Sequence, residues 1–256
     1  IVSRIAKYKI ISIITEWPLS FHFKSNWKYW DSLLYVSTFG KLIDAILPIS
    51  DSLIKKVTKF SKPVLKVPIL ADYSTDYNIN KSQKIKSSYF VYCAGAGYVR
   101  IIQFIIDAYK IFLRHSNEKL LLVLYGKPEE VNRIRQIIDD DNLSENILIK
   151  TRLSNRELFS LYHNALGLLI PLDPDNEQDK YRFSQKIAEY LSSETPIITS
   201  PVGEIPVYFN KHNAFLVDLF TPEAYAEAMR YISIHKEESI IIGRQGYELG
   251  KKEFNY

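Results

Sequence analysis

The chain has 256 residues, room for one large domain or one domain and part of another at roughly 100–200 residues each. Hydrophobic residues make up 46% and charged residues 24%, which excludes a disordered chain, and 9 Gly with 11 Pro exclude a collagen-like or linker-like one. The net charge of +4 is too small and too evenly spread to argue for nucleic acid; it fits an anionic small ligand or loose contact with a membrane surface.

In chain order, Lys9–Ile14 reads as a strand; it is far short of the ~20 apolar residues that span a bilayer. A helical segment follows around Trp27–Phe39, then a strand at Ile46–Ile49 and a helix over Ser50–Val57 with Ser50 as its cap. The basic, aromatic stretch Phe21–Tyr35, with Lys24, Trp27, Lys28 and Trp30, has two readings: an amphipathic helix packed on its sheet, or peripheral contact with a membrane. Leu70–Ser88 is polar and aperiodic and reads as a loop or linker. This places a domain boundary at 66/67. The first residue is Ile1 rather than Met and no signal peptide is recognisable, so the expectation is a fragment.

From about residue 89 short apolar runs alternate with amphipathic helices. The expected strands are Tyr89–Ala94, Lys119–Leu124, Ile147–Ile149, Ala165–Ile170, Pro196–Thr199 and Ala214–Val217, continuous apolar runs of the kind covered on both faces. Ile101, Ile102, Ile105, Ile106, Tyr109, Phe112 and Leu113 form one helical face. Pro128 suits a first helical turn, Ser154 and Glu157 form a capping box, and Thr221-Pro222-Glu223 opens a further helix. The alternation implies an α/β fold: a Rossmann-like parallel sheet with helices on both faces.

Ligands of such sheets bind at the carboxyl ends of strands, against helix N-termini. Ser184 is a candidate cap that puts Gln185 and Lys186 in a first turn, where a cation faces the positive end of the helix dipole and calls for an anion. Arg182 and Lys186 with free N–H groups suit a diphosphate, and Glu189 suits a ribose diol. The plainer alternative is an i,i+3 Lys–Glu pair on a solvated face. Gly126-Lys127 after the second strand of this series is either a phosphate contact or an ordinary strand–helix turn. Gly95 and Gly97 match part of a dinucleotide loop, with Arg100 where its third glycine would stand.

Cys93 cannot form an internal disulfide and fits a reducing compartment; in an apolar run it reads as a buried strand cysteine rather than a nucleophile. No His of the five pairs at metal spacing with another His or Cys, and no metal site is expected. The acidic run Asp173, Asp175, Glu177, Asp179 lacks the rest of a calcium loop and reads as a solvated loop.

Seven stretches in order resemble the retaining family 4 glycosyltransferases of GT-B fold, chiefly their C-terminal donor-binding domain: "ILPISDSL", "KVPILAD", "FVYCAGAGYVRIIQFIIDAYKIF", "LLLVLYGKPEEV", "NILIKTRLSNRELFSLYHNALGLLIPL", "FSQKIAEYLSSETPIITSPVGEIPVYF" and "NAFLVDLFTPEAYAEAMRYI". They cover about residues 40–256. The resemblance implies a partial N-terminal, acceptor-side domain over 1–66 and a nucleotide-sugar-binding domain over 67–256, in a chain truncated at both ends. It also implies transfer of a sugar from a UDP- or GDP-sugar to a hydroxyl acceptor with retention, in polysaccharide or glycan assembly. No cofactor or metal is implied; the partners are the donor and a glycan or lipid-linked acceptor, and the location is the cytoplasm or the inner face of the membrane.

Residue by residue, Glu189 matches the second glutamate of the family's E-x7-E motif, which holds the ribose. Lys186, Arg182 and Arg100 fall beside the diphosphate, with Gly126 and Lys127 in the second loop. Arg152 and Leu153 fall in the loop at the base, and Phe183, Ser184 and Gln185 supply backbone amides towards phosphates and sugar. Tyr181 stands where the first glutamate touches the sugar, a departure for which Glu177 or Asp179 are candidate substitutes. No catalytic base is implied. Two other readings stay open: a degenerate nucleotide-binding module of the same fold, and a nucleotide-sugar epimerase, whose carboxylate–histidine set has no match here.

Overall fold

A computed structural model describes residues 8–17, 40–74 and 88–256, and between them Trp27, Trp30, Leu34, Ser37 and Thr38. Those five positions and 40–42 are helical, as expected for this stretch; the remainder of Trp27–Phe39, with Lys24 and Lys28, lies outside the described residues, as do 75–87 of the expected linker.

The strands are β1 (Ile11–Ile14), β2 (Ala45–Pro48), β3 (Tyr89–Gly95), β4 (Lys119–Tyr125), β5 (Ile147–Lys150), β6 (Gly167–Ile170), β7 (Ile197–Thr199) and β8 (Phe215–Leu216). The helices are α1 (Asp51–Val57), α2 (Val99–Leu113), α3 (Pro128–Asp140), α4 (Asn155–His163), α5 (Glu177–Tyr181), α6 (Gln185–Leu191), α7 (Ile205–Tyr208), α8 (Pro222–Ile234) and α9 (Lys236–Glu253). Contacts group them into two compact units. The first takes the chain up to Ile69 with Pro174–Ser184 and Val202–Val207; the second takes Leu70–Asp173, Gln185–Pro201 and Tyr208–Tyr256.

In the first unit β1 and β2 pair in parallel, Ile11 against Ala45 through Ile14 against Pro48, and Val64 bridges Ile46 on the other side of β2. Ser50 caps α1: its Oγ accepts the Leu53 N–H at 3.2 Å and donates to the Tyr181 carbonyl at 2.5 Å. Glu204, 1% exposed, accepts the Asp51 N–H at 2.9 Å and is ion-paired with Lys66.

In the second unit six parallel strands lie in the order β5-β4-β3-β6-β7-β8. Leu120–Leu124 of β4 are all buried, which is what a strand covered by helices on both faces requires. Phe90, Leu122 and Ile198 pack with Ile102, Ile105 and Ile106 of α2 and with Tyr225, Met229 and Ile232 of α8 in one core. The expected face of α2 is buried except at Leu113, which packs on this core half-covered. Ser154 and Glu157 form their capping box on α4, and Thr221 caps α8 with Pro222 in first place. The expected Ala165–Ile170 strand starts later, at Gly167, because the Ala165 N–H still closes the end of α4 on the Tyr162 carbonyl. Ala214–Val217 shortens to the two residues of β8 at the sheet edge. Among the described residues no helix is long and apolar enough to cross a membrane.

Helix α9 buries Ser239, Gly243, Gly246 and Gly250, so it approaches the domain backbone to backbone. A Cβ on Gly243 would stand 2.5 Å from the Glu194 carbonyl oxygen and 2.8 Å from the Pro196 nitrogen. In an exposed helix Gly→Ala stabilises by about 1 kcal/mol. Here the sign reverses: Gly243→Ala is expected to destabilise by about 1–3 kcal/mol, since backbone must shift to admit the methyl. Urea unfolding checks it, and a midpoint at or above that of the wild type would refute the close approach.

Candidate functional site

All six strands of the second unit run in one direction, so their carboxyl ends share one rim. The chain runs outward from β3 to β4 and β5 and then returns to place β6 beside β3. This reversal is the topological switch point, where strand ends diverge and open sheets bind ligands.

Two loops meet tightly at this rim. The Ala96 N–H, after β3, donates to the Tyr125 carbonyl at 2.7 Å, at the end of β4. Gly126 has φ +152°, and a Cβ on it would lie 2.5 Å from Glu130 Oε2 and 3.3 Å from Ala96 Cβ. The glycine is therefore demanded by its positive φ, whatever binds beside it. Glu130 accepts the Lys127 N–H at 3.0 Å, closing the first turn of α3 and leaving the Lys127 side chain exposed.

Arg100 lies in the first turn of α2, and its guanidinium is ion-paired with Asp173, just past β6. The Arg100 side chain is 70% exposed and that of Asp173 only 4%. The acidic run is thus not the solvated loop expected from sequence. Asp173 and Asp179 are both buried, each against an arginine, and Glu177–Tyr181 is helix α5, capped by Asn176. Burial of a carboxylate becomes tolerable once a guanidinium is paired with it, and both acids have one.

Lys186 and Glu189 lie one turn apart on α6 and form an ion pair at 2.6 Å, each side chain about one quarter exposed. The pair of the plainer reading therefore exists, on a half-buried rather than a solvated face. Lys186 Nζ also stands 5.8 Å from the centre of the Tyr125 ring. Burial works against the ammonium, but the hydrogen-bonded Glu189 carboxylate opposes it, and the Lys186 pKa lies above the ordinary value.

The helix that carries this pair is pinned from below. The Tyr190 hydroxyl accepts the Cys93 N–H at 2.9 Å, its ring meets that of Tyr162 edge-on at 4.9 Å, and the Tyr73 hydroxyl donates to the Ala188 carbonyl at 2.9 Å. Gln185, which opens α6, donates its side-chain amide to the Leu70 carbonyl.

The structure thus places Gly126 and Lys127 on the loop after β4, Arg100 in the first turn of the helix after β3, and Lys186 and Glu189 on α6, whose Lys186 reaches the Tyr125 ring. Arg152 and Leu153 follow β5, the edge strand, two strands from β3; Arg152 is exposed with a left-handed φ of +55°. Tyr181, Arg182, Phe183 and Ser184 belong to the first compact unit. There the Tyr181 hydroxyl donates to Glu177 at 3.1 Å with Lys56 over its ring at 5.0 Å, Arg182 pairs with Asp179 at 2.5 Å, and Phe183 is buried. Both acids considered as substitutes at the Tyr181 position are therefore already engaged. Sequence reasoning missed Asp173 and Tyr125; the signal available for both was their place at the carboxyl end of an apolar strand.

Residues 76–249 match the profile of the family described as glycosyl transferases group 1. No curated protein matches the chain by sequence. Sucrose-phosphate synthase from Thermosynechococcus elongatus is similar in structure, with TM-score 0.75 and 15% identity over 98% of this chain and 66% of the synthase. The Anabaena protein HepE, solved in complex with UDP and glucose, has TM-score 0.75 and 13% identity over 99% of this chain and 69% of its own. A glycosyltransferase from Rickettsia africae gives TM-score 0.72 and 12% identity over 99% and 74%. At these identities the likeness is one of fold, and the chain spans about two thirds of the synthase's length.

Cys93 is 3% exposed, and burial raises its thiol pKa despite the nearby Lys186. A raised pKa leaves little thiolate at pH 8, and burial blocks the reagent. Alkylation of the folded protein by iodoacetamide at pH 8 is expected to run at least roughly 100-fold slower than in denaturant. Equal rates, followed by mass spectrometry, would contradict the burial of β3.

Proposed function

The chain belongs to the glycosyl transferases of group 1, and from that premise we propose that its 67–256 part is the donor-binding domain of a nucleotide-sugar glycosyltransferase. The observation that carries the reading is the Lys186–Glu189 pair at the rim of the parallel sheet, beside the loops after β3 and β4. Glu189 has two carboxylate oxygens, enough to accept a ribose diol, while Lys186 and Arg100 face the diphosphate with Gly126 and the exposed Lys127 side chain beside them. Their positive charge stabilises the departing diphosphate, the main electrostatic contribution expected of such a site. Arg152 and Leu153 take the base side. Tyr181, Arg182, Phe183, Ser184 and Gln185 are assigned towards sugar and phosphates by sequence resemblance alone.

In the whole protein we read 1–66 as part of an acceptor-side domain. The reaction is transfer to a hydroxyl of a glycan or lipid-linked acceptor with retention and without metal, in polysaccharide or glycan assembly, at the cytoplasm or the inner face of its membrane. The base is read as uracil first, since HepE holds UDP. A second reading is favoured by one departure: Tyr181, its hydroxyl committed to Glu177, replaces the family's first glutamate. On that reading the protein binds nucleotide and transfers nothing.

Calorimetric titration with UDP, GDP and ADP tests the donor site. One nucleotide is expected to bind selectively, and Glu189→Ala and Lys186→Ala are each expected to weaken it about ten- to hundredfold, the worth of a charge-assisted hydrogen bond. Binding untouched by both substitutions would remove the site from α6.

Retention and metal independence are read from the product of the intact protein. Proton NMR is expected to show the donor's anomeric configuration in the product, at a rate unchanged by EDTA. An inverted product or loss of transfer in EDTA would refute either point, and nucleotide binding without transfer would establish the second reading.

A further inference from the structure

Resting on the donor-site reading above, we propose that Tyr125 is a positioning residue whose ring holds the Lys186 ammonium at the rim of β4, favouring ligands that carry a diphosphate. A lysine side chain has four rotatable bonds and loses about 2 kcal/mol of rotamer freedom when fixed. Glu189 sits on the same helix one turn away, so its contact fixes a distance but not a direction across the rim. The direction comes from a second element. Tyr125 ends β4, is paired with Gly95 of β3, and its carbonyl takes the Ala96 N–H. Its backbone is therefore anchored while its ring remains 38% exposed, with Lys186 Nζ within 6 Å of the ring centre. A cation at that range is attracted by the negative face of the ring.

The surroundings keep the ammonium charged. Glu189 is ion-paired with it at 2.6 Å and favours its protonated form over the opposing effect of burial. The residue after Tyr125 is Gly126, whose positive φ of +152° disfavours any side chain. The ring thus stands beside backbone that carries no side chain, which a phosphate can approach closely.

The test is a titration of the full chain with the best-bound nucleoside diphosphate among UDP, GDP and ADP, and with its nucleoside. Wild type, Tyr125→Phe, Tyr125→Leu, Tyr125→Met, Lys186→Ala and the Tyr125→Leu/Lys186→Ala double variant are compared, each checked for folding by thermal melting. Tyr125→Phe keeps the ring and is expected to bind the diphosphate within about twofold of wild type. Tyr125→Leu or Tyr125→Met, whichever folds, is expected to weaken it about three- to thirtyfold and leave the nucleoside unchanged. In the Lys186→Ala background the loss of the ring is expected to add less than about twofold. If Lys186→Ala weakens diphosphate binding and the ring-less variants do not, the positioning role is overturned and the donor site stands. Equal weakening of the nucleoside and diphosphate would reduce Tyr125 to packing and also overturn it. If no diphosphate binds, or Lys186→Ala changes nothing, the donor-site reading itself fails.

Discussion

A single backbone hydrogen-bond donor governs the placement of the site. Strand β3 pairs with β6 through Tyr92 and no further, because the strands part at the switch point. The next N–H, that of Cys93, is left without a ladder acceptor in the core, a cost of about 1–3 kcal/mol if unmet. The Tyr190 hydroxyl meets it. That contact ties α6 to the middle of β3, and one turn of helix then carries Glu189 and Lys186 up to the rim. The parting of the strands frees a donor, and that donor fixes the helix beside it.

The same economy of space runs around the domain. The turn out of β4 requires Gly126 through its positive φ, and α9 lies closely enough on the backbone to require Gly243. Both glycines relinquish helix or loop stability in exchange for shorter distances between elements. Close-packed interiors transmit small displacements, so the rim holds its geometry through contacts well beneath it.

What could be read from sequence was what is local. The capping box at Ser154 and Glu157 closes within four residues, as does the Thr221 cap, and the apolar stretches of β3 and β4 announce burial without reference to any partner. The rhythm of the strands was enough to place Arg100, Gly126, Lys127, Lys186 and Glu189 on one rim. What could not be read depends on distant partners. Asp173 is charged and sits among other acids, so it looks solvated; its arginine is 73 residues away. Asp179 has a local partner in Arg182, yet its complete burial comes from the rest of its unit. The grouping of Pro174–Ser184 with the first unit has no local sign at all. The shortness of β8 follows from its place at the edge, which periodicity does not encode.

Charge balance ties these details to chemistry. Arg100 and Lys186 both occupy first turns, where the helix dipole disfavours a cation by a few tenths of a kcal/mol up to about 1 kcal/mol. Each is held there by one carboxylate, Asp173 or Glu189. The two carboxylates differ in access. Asp173 is sealed, so it orients Arg100 while most of the guanidinium stays open to solvent. Glu189 is part-open, so a ligand can reach the carboxylate as well as the ammonium it balances. An approaching diphosphate would relieve the conflict of two cations with two helix termini without having to displace either acid. A lone hydroxyl ligand would offer the cations nothing comparable. On the donor-site reading proposed for it, such a site discriminates by charge first and by the diol second.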